Sequence, residues 1–136
     1  MRRKPFVAGI AAVALASVLG PLAPAEVQAQ GSAPEIGAAA PEFTLPDTYG
    51  EEHALADYLG EWVVLEWLNY GCPYVKKHYN SGNMQSLQEA YAERGVKWLA
   101  IVSSAPGKQG YYEPADMNGM NEEMGSKALA VLLDPE

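Results

Sequence analysis

The chain has 136 residues, 9 basic against 17 acidic, with a formal net charge of −8 and a single cysteine, Cys72. This length suits one small domain, the acidity argues against nucleic acid or an anionic membrane surface as partner, and one cysteine excludes an internal disulfide. One cysteine and two scattered histidines give no zinc-ligand spacing, and there is no phosphate-binding glycine loop, so no metal or cofactor is implied.

Residues 1–29 read as a secretory signal. Arg2, Arg3 and Lys4 form a basic start, Val7 to Leu19 is apolar but short for a membrane span, and Val27-Gln-Ala29 fits a small-residue cleavage site. An uncleaved anchor and cleavage after Ala25 are the alternatives. The residues after the twin arginines fit the twin-arginine signal poorly, and no cysteine follows the apolar stretch to carry a lipid. Cleaved export to a periplasmic or extracellular space is therefore expected, with no stable membrane insertion afterwards. It would leave 107 residues, 6 basic against 16 acidic, and a net charge of −10.

Residues 30–40, rich in Gly, Ala and Pro, read as a linker to a domain over 41–136. Pro41 to Gly50 predicts a short extended segment and a turn, and Leu55 to Gly60 a single helical turn closed by glycine. Trp62 to Leu68 is nearly all apolar, as in a central strand buried on both faces. A helix starts at Pro73, with Val75 and Tyr79 on one face and Met84, Leu87 and Tyr91 on a later stripe. Asn80-Ser-Gly-Asn83 predicts a kink or break with a new N-cap, and Gly95 ends the helix. Val96 to Val102 is a second buried strand, Ser103 to Gly110 a loop, Glu113 to Met124 a helix, and Ala128 to Leu133 a third strand. Strands alternating with helices imply an α/β fold around a mostly parallel sheet with right-handed crossovers.

Cys72 falls at the seam between the first strand and its helix. A cysteine at a first helical turn faces unpaired backbone N–H groups and the positive end of the helix dipole, both of which favour the reactive thiolate. Pro73 suits the first helical position, and Lys76 and Lys77 add positive charge. The alternative is a cysteine used as a small buried hydrophobe.

The series Pro41-Glu-Phe-Thr-Leu-Pro-Asp47, Gly60-Glu-Trp-Val-Val-Leu-Glu-Trp67, Asn69-Tyr-Gly-Cys-Pro-Tyr-Val-Lys-Lys-His-Tyr79 and Val131-Leu-Leu-Asp-Pro135 resembles the thioredoxin-like superfamily, in its redoxin or peroxiredoxin-like branch. The resemblance spans roughly residues 38–136 and implies a thioredoxin-like fold of which the C-terminal part, with its cis-proline loop, lies beyond Glu136. A resolving cysteine or a peroxide-binding arginine is expected there if anywhere. The departures concern the site. Cys72-Pro-Tyr-Val75 lacks the second thiol of the Cys-x-x-Cys motif, so dithiol exchange within this chain is excluded. Asn69 and Leu65 stand where peroxiredoxins carry a hydroxyl residue and a proline, and the Asn69 amide is left as the hydrogen-bond donor toward a peroxide.

Glu66 is an acid inside an apolar strand, six residues before Cys72 as in thioredoxins; the resemblance makes it a proton acceptor for the thiol. A strand glutamate reaching the sheet edge or solvent is the alternative. His78, six residues after Cys72, is poorly placed to pair with it on a helix and reads as a surface or capping residue; His53 reads as solvated. Trp67, Tyr70, Tyr74 and Tyr79 give the thiol an aromatic neighbourhood, although core packing explains Trp67 and Tyr79 equally well. Tyr111 and Tyr112 read as exposed.

Three functions follow. The first is an exported peroxiredoxin-like enzyme, in which Cys72 reduces a hydroperoxide and is recycled by an external thiol or thioredoxin-like reductant. The second is an oxidoreductase that forms mixed disulfides with a disulfide substrate. The third is a binding module with an inert cysteine.

Overall fold

The computed structural model describes residues 34–134. The export signal expected over 1–29 lies outside them. Residues 34–43 carry no regular strand or helix, and two short antiparallel strands follow, β1 (Thr44–Pro46) and β2 (Glu52–Ala54), with Leu45 opposite His53. The turn expected before Gly50 is present and closes this hairpin, whose second strand the sequence pattern did not announce. A 3₁₀ turn over Leu55–Tyr58 leads through Gly60, at φ +88°, into the central sheet.

That sheet is parallel, in the order β3 (Val63–Trp67), β4 (Lys97–Val102), β5 (Ala130–Leu133). The helix after β3 is broken as expected: α1 (Pro73–Asn80) ends at Ser81, Gly82 takes φ +74°, and α2 (Asn83–Ala92) begins. Only a residue without a Cβ turns the chain this way cheaply. After β4, a loop and α3 (Pro114–Glu123) return the chain to β5.

Alternation along the strands divides the core between two faces. Ala100, Val102 and Val131 pack with Leu68, Tyr70, Tyr79 of α1 and Met117 of α3. Leu99, Ile101, Ala130 and Leu132 point the other way, against Phe43, Leu45, Tyr58, Val63 and Leu65. Leu99 and Leu132 are wholly buried, each worth about 2 kcal/mol in surface removed from water. The hairpin is fastened to β5 by a Thr48 N–H donated to the Val131 carbonyl at 3.1 Å.

Three expectations need correction. β3 is not buried on both faces: it has one strand neighbour among the described residues, and Trp67 is 65% exposed, so the core reading of Trp67 fails. Leu87 and Tyr91 are not the buried stripe of α2. The break at Gly82 rephases the helix and turns Gln88 inward, where it is 0% exposed. Tyr112 is not exposed but packs against the helical-side core.

Candidate active site

The site is built where β3 runs into α1. The Leu68 N–H still donates to the Ile101 carbonyl at 2.8 Å, after which the chain leaves the sheet in a tight turn. The Cys72 N–H donates back to the Asn69 carbonyl at 2.9 Å, and the Cys72 carbonyl accepts from the Lys76 N–H at 3.0 Å. Cys72, extended at φ −72° and ψ 128°, is thus the N-cap of α1, with Pro73 at its first position. It is partly exposed and free of a disulfide. Tyr74 and Lys76 flank it on the solvent side, Tyr74 at 76% exposure.

Tyr70 works in the opposite sense. Its ring is buried in the core, meets Tyr79 edge-on at 5.2 Å, and its hydroxyl donates to Asn121 Oδ1 of α3 at 3.0 Å. Burial pushes the Tyr70 hydroxyl up to about 12 and lifts Tyr79 higher, with the charge of Glu66 adding to the lift on Tyr79. Both phenols are anchors in their neutral form. Of the four aromatic residues expected around the thiol, only Tyr74 and Trp67 are exposed.

Glu66 lies on the helical side of β3, and three donors surround its carboxylate. Oε1 accepts the Tyr79 hydroxyl at 3.1 Å; Oε2 accepts Trp98 Nε1 at 2.8 Å and Gln88 Nε2 at 3.1 Å. Gln88 also donates to the Tyr79 hydroxyl at 3.0 Å and accepts the Lys127 N–H at 2.7 Å. The partly exposed acid thereby joins β3, α1, α2 and β4. Charge-assisted bonds of this kind exceed neutral ones in strength.

Asn69 is the hinge of the turn. Its Oδ1 accepts the Gly71 N–H at 2.8 Å, and its Nδ2 donates to the Gln109 carbonyl at 3.2 Å. One of its two amide hydrogens is thereby committed inside the protein. Gln109 and Gly110 belong to the loop expected over Ser103 to Gly110, which leaves the carboxyl end of β4, where α/β proteins assemble their sites. Next to them a hollow of about 200 Å³ opens between Val102, Tyr111, Tyr112, Pro114 and Leu133.

The histidines stand apart from this site. His78 is exposed, its Nδ1 facing the Asn83 amide at 3.3 Å, in line with a surface or capping role. His53 is not solvated: its Nδ1 lies 2.6 Å from the Tyr58 hydroxyl, and its Nε2 lies 3.4 Å from Asp47 Oδ2, because the hairpin folds it onto the 3₁₀ turn. Asp47, Glu51 and His53 bring possible ligand atoms within 4.8 Å of one another. Asp47 is already engaged there, since its Oδ1 accepts the N–H groups of Tyr49 and Glu51. Burial pushes its carboxyl up, but those two N–H groups and the His53 ring outweigh it and hold the group below its ordinary value.

The AhpC/TSA family matches residues 36–134, and the chain belongs to that family. Among curated proteins it is 34% identical over 71 residues to the thiol-disulfide oxidoreductase ResA of Geobacillus kaustophilus, and equally to that of Geobacillus thermodenitrificans. The matched part covers 52% of this chain and 40% of either relative, so the chain spans less than half of their length. Among solved structures it resembles the pneumococcal exposed lipoprotein thioredoxin Etrx1 of Streptococcus pneumoniae, with a TM-score of 0.52 and 26% identity over 71% of this chain and 67% of that one. The thioredoxin domain of a thiol-disulfide oxidoreductase from Bacteroides vulgatus also has a TM-score of 0.52, at 20% identity over 71% and 62%. The fold is thioredoxin-like.

Proposed function

We propose that this chain is an exported thiol-disulfide oxidoreductase that works through mixed disulfides at Cys72. The Cys72 thiolate attacks one sulfur of a substrate disulfide, the S–S bond breaks, and the other sulfur leaves as thiolate. An external thiolate then attacks the substrate sulfur of the mixed disulfide and releases Cys72. The observation that carries the reading is a partly exposed cysteine capping the helix after the first parallel strand, in a chain whose curated relatives are thiol-disulfide oxidoreductases. Val75 stands where a resolving thiol would, so a thiol from outside the Cys72–Val75 segment releases the adduct. Export rests on residues 1–29 and on the likeness to an exposed lipoprotein thioredoxin.

Incubation with oxidised glutathione, followed by intact mass measurement, should show one glutathione per chain, absent in Cys72→Ser. Val75→Cys should convert that adduct into an internal disulfide. No adduct on the wild type would overturn the reading. The AhpC/TSA match supports a second reading, in which Cys72 reduces a hydroperoxide and becomes a sulfenic acid. Peroxide-dependent capture of Cys72 by dimedone, without a glutathione adduct, would favour it. Neither product would leave a binding module.

A further inference from the structure

We propose that Gln109 is a positioning residue that aims the Cys72 thiol, an inference that rests on Cys72 as the reacting group. The peptide unit between Gly71 and Cys72 is gripped at both ends. Its carbonyl accepts Gln109 Nε2 at 3.1 Å, and its N–H, that of Cys72, donates to the Asn69 carbonyl at 2.9 Å. The preceding N–H, that of Gly71, is held by Asn69 Oδ1, and the Asn69 amide is in turn held by the Gln109 carbonyl. Gln109 thus closes a ring of hydrogen bonds across 38 to 40 residues of sequence.

With the φ of Cys72 held at −72° where α1 starts, the orientation of the preceding peptide plane sets the direction of the Cα–Cβ bond that carries the sulfur. Gly71 supplies little stiffness of its own. The fit is close enough to exclude side chains: a Cβ on Gly71 would stand 2.7 Å from Gln109 Cγ, and one on Gly110 would run into the Asn69 amide. Gly110 itself needs its φ of +86°, which brings Gln109 back over the turn. Without Gln109 Nε2 this peptide unit loses one of its two hydrogen bonds, and the direction of the sulfur is set less tightly.

The purified full chain is tested with dithiodipyridine, a disulfide whose reaction can be followed in acid and at neutrality. Gln109→Ala should react about three- to tenfold more slowly than wild type, the range expected for one lost hydrogen bond, with little change in melting temperature. Gln109→Glu separates aiming from packing. At about pH 4, where an ordinary glutamic acid is largely protonated, its O–H can still donate to the Gly71 carbonyl; at about pH 7 the carboxylate repels it. The ratio of its rate to wild type should therefore fall as pH rises, to below that of Gln109→Ala. A flat ratio, or an unchanged rate in Gln109→Ala while wild type reacts, overturns the role of Gln109 and leaves Cys72 as the reacting group. A wild type that fails to react overturns the functional reading, and this inference with it.

Discussion

Two carboxylates, Glu66 and Asp47, each sit in a nest of donors and a tyrosine, yet they are held in opposite ways. Asp47 draws its partners from two, four and six residues away, all within one hairpin. Glu66 draws its own from 13, 22 and 32 residues away, on two helices and a neighbouring strand. The first can form while the rest of the chain is still unfolded, and it shapes a turn. The second exists only once the sheet and helices have met, and it fixes how α1, the helix that Cys72 caps, sits on β3. Equal numbers of hydrogen bonds thus hold a local bend in one case and the tertiary placement of the site in the other.

Replacing Glu66 should expose that difference most strongly. Glu66→Ala leaves the Tyr79 hydroxyl and Trp98 Nε1 without their acceptor and removes one of the two acceptors of Gln88 Nε2, and a loss of about 3 kcal/mol in urea unfolding is expected. A loss no larger than that of an Asp47 variant would erase the contrast. Glu66→Gln keeps the shape but presents its own N–H groups to the donors, costing about 1–2 kcal/mol. It should also slow the reaction of Cys72 about tenfold or more, as expected when a proton acceptor is removed. An unchanged rate would confine Glu66 to holding the helices.

The two regions should also fail at opposite ends of the pH scale. Tyr70 and Tyr79 are held protonated, above the ordinary tyrosine value of 10.0, by burial. Their contribution is full below that value and is lost as pH climbs from 10.0 toward about 12, because the unfolded chain ionises first. Alkaline unfolding should therefore shift to higher pH in Tyr79→Phe. Asp47 is held below its ordinary value of 3.8, so its contribution is present above that pH and disappears as pH falls through the folded value. Asp47→Asn should cost about 1 kcal/mol at neutral pH and nothing in strong acid, the smallest of these effects.

What the sequence revealed follows the same division. Strand and helix runs, the break at Gly82, and the placement of Cys72 before Pro73 are local patterns, and they are present in the fold. The acid inside β3 was legible as costly, but its donors were not, since nothing in the spacing of Tyr79, Gln88 and Trp98 marks them as neighbours. Gln88 gave no signal, because an amide on a helix reads as surface until a carboxylate from a neighbouring strand claims it. Gln109 was hidden for a different reason: each of its two bonds has a backbone carbonyl at one end, and a carbonyl leaves no mark on residue choice. His53 showed the reverse error, a polar residue in a turn region that the hairpin folds inward.

The open side of β3 has a consequence before folding is complete. Trp62-Val-Val-Leu-Glu-Trp-Leu68 is the kind of apolar, strand-prone run that stacks with copies of itself, and in the folded protein its strand has one neighbour among the described residues. Glu66 is the only charge within that run. In a newly made chain it acts as a gatekeeper against aggregation, since like charges in stacked copies repel. Replacing it with leucine would complete a seven-residue sticky segment, and loss of soluble protein would then precede any loss of stability measured on the molecules that fold.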